Sequence, residues 1–216
     1  MKFSGYKSLA AALKDLQIVY REVDFVEPVE FVVTDYFRED LTMVMREGVV
    51  NNSEFAICEN LVYPVLKEVW KKYYQQFVIW SHQFLSDGLG LEGFPEYILA
   101  KKSDLGKIVF ERPFLLLVEA KQDDFDAAWG QCLAEMVAAQ RLNGSEQIPL
   151  FGIASNGGVW QFGRLVGDRF DLNQFFYTIQ ELDRLLSAVN FVFQECDRQL
   201  STLTAMNRSP TFSVNL

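Results

Sequence analysis

The sequence predicts a mixed α/β domain, a central sheet flanked by helices, and three observations predict it. Two continuous apolar runs, at residues 115–118 and 148–155, are bounded by turn residues and read as strands buried on both faces. Between them Phe125, Trp129, Cys132, Met136 and Ala139 recur at helical spacing, so a helix connects the two strands. Asn156-Gly157-Gly158 then supplies the turn of a hairpin. With 216 residues, half of them hydrophobic, a single domain with a substantial core is the default.

Taken in order, residues 8–16 predict a short helix with Leu9, Leu13 and Leu16 on one face, and residues 18–26 a strand that Pro28 breaks. Thr34 caps a second helix whose apolar face carries Phe37, Leu41, Val44 and Met45 and which Gly48 ends. Residues 1–50 thus form an N-terminal extension with no evident chemistry. Ser53 caps a longer helix over 54–74, with Ile57, Leu61, Val65 and Val69 at helical spacing; Pro64 should kink or split it. Residues 77–85 and 94–102 read as strands, separated by a turn at Asp87-Gly88 with Gly90 and Gly93 beyond. A turn at 104–106 leads into the central strand.

Asp123 or Asp124 caps the connecting helix, which runs to about Leu142 and ends at Asn143-Gly144. The hairpin returns over 159–165. The last helix, 178–200, places Ile179, Leu182, Leu186, Val189, Phe193, Cys196 and Leu200 in three heptads of an a/d seam. Packing against its own domain is one reading of that seam, and a homodimer the other. Residues 201–216 lack the pattern and read as a loose tail or a short edge segment.

Composition excludes several classes. A net charge of −9 argues against broad, non-specific nucleic-acid binding, which depends on Lys and Arg neutralising phosphates, though it leaves room for a local basic groove. No run of about 18 apolar residues suggests a membrane span, and Lys7 and Lys14 interrupt what would be the apolar core of a signal peptide. Cys58, Cys132 and Cys196 are far apart, which suggests neither a disulfide framework nor a zinc site but buried thiols in a reducing, cytoplasmic setting. The lone His82 excludes a multi-histidine metal centre and argues against histidine-based nucleophilic catalysis; it reads as a packing or hydrogen-bonding residue in a strand.

The chemistry concentrates at the exit of the central strand. Leu115–Val118 lead straight into Glu119 and Lys121, which point to the same face of a strand. Burying two charges beside a core costs several kcal/mol unless they are paired or bind a metal. Glu96 follows Pro95 in the preceding strand, and an antiparallel pairing brings it to the same end of the sheet. Two carboxylates and an ammonium then converge. Carboxylates are the hard oxygen ligands of Mg²⁺, which lowers the pKa of bound water and stabilises phosphoryl charge, and a lysine beside it orients that water or neutralises developing charge. Such a set suits phosphodiester hydrolysis. A Glu–Lys pair at a strand end is, alternatively, an ordinary ion pair, and Glu54 and Glu59 are alternatively solvated helix charges, Glu54 at the positive end of the dipole.

This order of elements and motifs resembles the PD-(D/E)xK nuclease superfamily, whose fold is restriction-endonuclease-like. Pro95-Glu96 matches the first half of the motif and Glu119-Ala120-Lys121 the second. The stretch SEFAICENLVYPVL resembles the first core helix of the family, which often carries a glutamate completing the metal site. Glu54 fits the spacing of the type I restriction subunit-like branch, with Glu59 in reserve, and Gln131 resembles the glutamine on the following helix. The hairpin IASNGGVWQFGRL is similar to that branch's as well. The resemblance covers residues 53–165, about half the chain.

It implies a Mg²⁺- or Mn²⁺-dependent nuclease acting on DNA, with Glu96, Glu119 and Glu54 on the metal, Lys121 catalytic, and Gln131 positioning water or substrate. The alternatives are an inactive binding or scaffold protein of the same fold, or an accessory subunit of a restriction or repair complex. Glu96 departs from the usual aspartate, moving its carboxylate outward by one C–C bond, about 1.5 Å. Asp123, Asp124 and Asp126 would repel a phosphate backbone unless they face away. Lys67, Lys71, Lys72, Lys101, Lys102 and Lys107 are the candidates for a phosphate-contacting face, or else a solvated helix and loop.

Overall fold

The computed structural model of the protein describes residues 2–208, with side chains described as far as residue 203. After a 3₁₀ turn, Phe3–Gly5, the chain forms α1, Leu9–Leu16, and the short strand β1, Val19–Glu22. Ser8 caps α1 by accepting from Ala11 N. The strand expected over 18–26 stops at Glu22: Phe25 and Val26 instead donate their backbone N–H groups to the Asn173 side chain. Helix α2, Asp35–Glu47, is capped by Thr34 and buries Phe37 and Leu41.

The long helix expected over 54–74 is split into three. Helix α3, Glu54–Ile57, is capped by Ser53, passes into a π-helical stretch, Cys58–Val62, and continues as α4, Tyr63–Trp70. Pro64 explains the widened turn, because it has no N–H to give the Asn60 carbonyl and its ring would collide with that group in a regular α-helix.

Strand β2, Phe77–Ser81, ends four residues before the expectation, because His82 adopts φ +49° and turns the chain; Leu85–Ser86 (β3) and Glu92–Gly93 (β4) form a separate small hairpin. Strands β5, Tyr97–Lys102, and β6, Phe110–Ala120, are followed by α5, Phe125–Asn143. Asp124 caps α5, and Gly144, at φ +68°, ends it. Strands β7, Leu150–Ser155, and β8, Val159–Val166, form the expected hairpin.

Two strands had no clear signal in the sequence: β9, Arg169–Leu172, and β10, Tyr177–Thr178. A 3₁₀ turn, Ile179–Glu181, then opens α6, Leu182–Arg208. The helix therefore continues eight residues past Leu200, where a loose tail was expected, and residues 209–216 lie outside the described residues.

The protein is α/β, with a large mixed sheet in the order β1-β9-β8-β7-β6-β5-β2, β10 attached to β8, helices on both sides and a long C-terminal helix. Strand β6 lies antiparallel to β5 and parallel to β7. From Leu116 onward, alternate residues of β6 serve two cores. Leu116 and Val118 pack in a cluster with α2, α4 and α6, whereas Leu117 packs with α1 and α5. The a/d seam of α6 belongs to the first cluster: Leu186, Val189, Phe193 and Cys196 are fully buried within the chain. It packs on its own domain, and a dimer through that seam has no free apolar face to use. All three cysteines are buried and unpaired. None of the described helices is long and apolar enough to cross a membrane.

Candidate functional site

Glu119 lies two residues beyond Leu117 and shares its face, so the carboxylate is carried into the layer between the sheet and α5 and is completely buried. Lys121 follows one residue past the strand end. Its Nζ stands 3.0 Å from Glu119 Oε1 and 3.0 Å from Glu54 Oε2, so the ammonium bridges the central strand and the start of α3. Glu54 is brought there by the Ser53 cap, which fixes the first turn of the helix. Although Lys121 is close to Glu119, neither oxygen of that carboxylate has a well-aligned hydrogen-bond donor. Glu59, the reserve candidate, is exposed in the π-helical stretch, and the contact to Lys121 is made by Glu54.

Glu96 is the residue immediately before β5 rather than within it. Tyr97 pairs with Val118 and Ile98 with Leu117, so the same register one residue on sets Glu96 opposite Glu119. Its Oε2 receives His82 Nε2 at 2.7 Å and the Cys58 thiol at 3.4 Å. His82 is positioned twice over: its Nδ1 meets Ser81 Oγ at 2.8 Å and its backbone N–H donates to the Glu96 carbonyl. The hydrogen-bonding role expected of His82 holds, but in a turn rather than a strand.

A further carboxyl comes from α5. Glu135 is fully buried and stands in hydrogen-bonding contact with Glu119, with Gln131 Nε2 donating to its Oε1 at 3.3 Å. Sequence reasoning missed Glu135. A signal was present, since it lies one turn after Gln131 and is flanked by Ala134 and Met136, but a glutamate in a helix is ordinarily taken as solvated.

Electrostatics follow from this crowding. Burial, and then the neighbouring charge of Glu96, raises the Glu119 pKa to about 8 against the pull of Lys121. Burial and the charge of Glu119 push Glu135 well above the usual carboxylate range, and Glu135 has no cation of its own. For Lys121, burial opposes the charged form, but Glu119 and Glu54 outweigh it and hold the ammonium above the ordinary lysine value. Burial and Glu96 likewise push the Cys58 thiol up, so it serves as a hydrogen-bond donor, not a thiolate.

The structure thus brings Glu54, Glu96, Glu119 and Lys121 to one sheet end, with Gln131 reaching them through Glu135. It does not bring the lysine face there. Lys101 and Lys102 lie at the other end of β5 from Glu96, about 17 and about 20 Å away at ~3.4 Å per residue. Lys71 pairs with Glu68 and Lys101 with Glu111. Two of the three aspartates after Lys121 have structural work: Asp124 caps α5, and Asp126 accepts from Leu9 N and so ties α1 to α5. A cleft of about 1110 Å³ between the end of α1 and the α5–β7 connection contains none of the site carboxylates.

No protein-family model matches the chain, and no curated protein matches it in sequence. As the side chains stand, no group of three His, Cys, Asp or Glu among the described residues is disposed to hold a metal ion. The donor chemistry suits a hard cation nevertheless. Glu119 keeps two buried oxygens without aligned donors, and Glu96 faces it across the strand pair. Lys121 and His82 stand where a cation would compete for these oxygens.

Proposed function

We propose that the protein is a divalent-metal-dependent nuclease of the PD-(D/E)xK type that hydrolyses phosphodiester bonds in DNA. One observation carries the reading: Lys121 sits between Glu54 and Glu119 at 3.0 Å from each, beside a Glu119 whose buried oxygens have no aligned donor. A core that needed only stability would gain more from an apolar residue in place of the completely buried Glu119, because an ion pair with a buried partner rarely repays its desolvation. Glu96 and Glu119 would hold Mg²⁺ or Mn²⁺, with Glu54 as the third carboxylate. The bound ion would supply an activated water and charge stabilisation at the phosphoryl group.

The chain's own residues do the rest. Lys121 keeps its proton and presents a fixed positive charge to the phosphate oxygen. The Glu135–Gln131 hydrogen bond orients the Gln131 amide at the rim, and His82 and Cys58 restrain Glu96. Replacing Lys121 by alanine is expected to abolish metal-dependent cleavage of DNA while circular dichroism and the melting profile stay those of a folded protein. Cleavage surviving in Lys121→Ala would sink the assignment.

A second reading has its own observation. Lys121 and His82 already engage the carboxylates, as in a structural ion-pair network, which favours a non-catalytic binding or scaffold protein, alone or as an accessory subunit. A ligand that binds only the folded state must raise its melting temperature. Stabilisation by millimolar Mg²⁺ or Mn²⁺ supports the nuclease; a melting temperature indifferent to both supports the scaffold.

A further inference from the structure

Beside the carboxylates lies a pocket of about 460 Å³ whose walls include Phe84, Phe94 and Gln131. Phe84 is 46% exposed and Phe94 60% exposed, yet the two rings contact each other, centroids 5.2 Å apart and planes tilted by 55°. They form an open corner in which a flat ring can stack on one face and meet the edge of the other. The floor is Phe3, which is packed so closely under Gly93 that a Cβ there would fall 2.6 Å from its ring. The rim is polar, with Glu92 and Lys2, and Gln131 is the shared wall, because its amide also bonds Glu135 in the carboxylate cluster. A third aromatic, Phe55, is 64% exposed and stacks at 5.8 Å on His82, the residue that contacts Glu96.

We propose that this corner takes an unstacked nucleobase, so that the nucleic acid led to the carboxylates is single-stranded; the second clause rests on the nuclease reading. Three features favour that ligand. Aromatic faces left in water beside a polar cleft suit a flat apolar ring with hydrogen-bonding edges. Gln131 offers such an edge both a donor and an acceptor, and Glu92 accepts from an exocyclic amino group. Finally, a chain of net charge −9 draws little affinity from phosphates, so stacking must provide it, and in a duplex the base faces are already covered.

The test is fluorescence anisotropy of the full-length protein in EDTA, where cleavage is silent. The probes are labelled single strands of about a dozen nucleotides, the matching duplex, and an abasic strand of equal length. Expected are binding of the single strand, roughly tenfold weaker binding of the abasic strand and the duplex, and a loss of roughly tenfold in Phe94→Ala and in Phe84→Ala. Phe94→Tyr, which keeps the stacking face, should restore affinity, separating a lost contact from a lost fold. DNA and RNA strands are both offered, and either satisfies the proposal. Equal affinity for the abasic strand, no effect of either alanine, or no binding at all overturns it. Base-dependent binding by a protein that never cleaves with Mg²⁺ would leave the pocket standing and reject the nuclease. Cleavage of duplex DNA, undiminished in Phe94→Ala, would reject the pocket alone.

Discussion

Glu119 and Glu135 are buried side by side, with Lys121 paired to Glu119 alone of the two, and that geometry governs how the protein responds to pH. Two carboxyls buried in contact do not both ionise, so the folded state retains a proton that the unfolded chain releases. For Glu119 the interval runs from the ordinary carboxylate value to about 8. Folded protein then binds more protons than unfolded across this interval, and stability must fall as pH rises through it. Asp87 and Asp171 act oppositely, since ion pairs hold them below the usual range and their contribution is lost only in stronger acid. In EDTA, the melting temperature should therefore be highest near about pH 5 and decline toward about pH 8. Glu135→Gln should flatten the decline and raise the melting temperature at the alkaline end. Calorimetric melts of both proteins across that range decide it, and a flat wild-type profile would show that the pair is not carried buried as described.

At the scale of elements, the site depends on two places where the chain leaves regular geometry. The π-helical stretch before Pro64 turns Cys58 toward Glu96. The hairpin turn packs against that stretch: Gly157, at φ +83°, lies so close that a Cβ would come within 2.5 Å of Leu61 Cδ1. Gly157→Ala meets both a disfavoured backbone and a collision, and should destabilise by about 2 kcal/mol or more, measured by urea titration. Ser53→Ala removes the cap that sets Glu54 beside Lys121, and should cost about 1 kcal/mol. Both positions could be chosen from the sequence, since Ser53 preceded a helical pattern and Asn156-Gly157-Gly158 was a turn signal. Their contacts could not: nothing in the local pattern of 53–66 says that residue 157 abuts Leu61.

At the scale of the molecule, the sheet is covered on both faces and α6 supplies much of one cover. Its heptad seam faces inward, with Phe193 fully buried 5.7 Å from the Tyr73 ring. Phe193→Ala should therefore lower stability by about 3–5 kcal/mol, as a core truncation does. Light scattering checks it from the other side: a concentration-dependent dimer dispersed by that substitution would contradict the packing.

The sequence by itself determined the α/β class, the positions of most helices, the central strand and the pairing of Glu119 with Lys121, because those follow from periodicity, capping and the two-residue repeat of a strand. Register and neighbourhood were decided only by the tertiary structure. It set Glu54 rather than Glu59 beside Lys121, ended β2 at His82, added β9 and β10, and turned the heptad seam into the core. It also buried Glu135 against Glu119. The reason is physical: local patterns report how a residue lies relative to its own element, whereas burial and charge pairing depend on which elements meet across long stretches of chain. Glu135 reads as a solvated helix charge until the sheet is laid against α5.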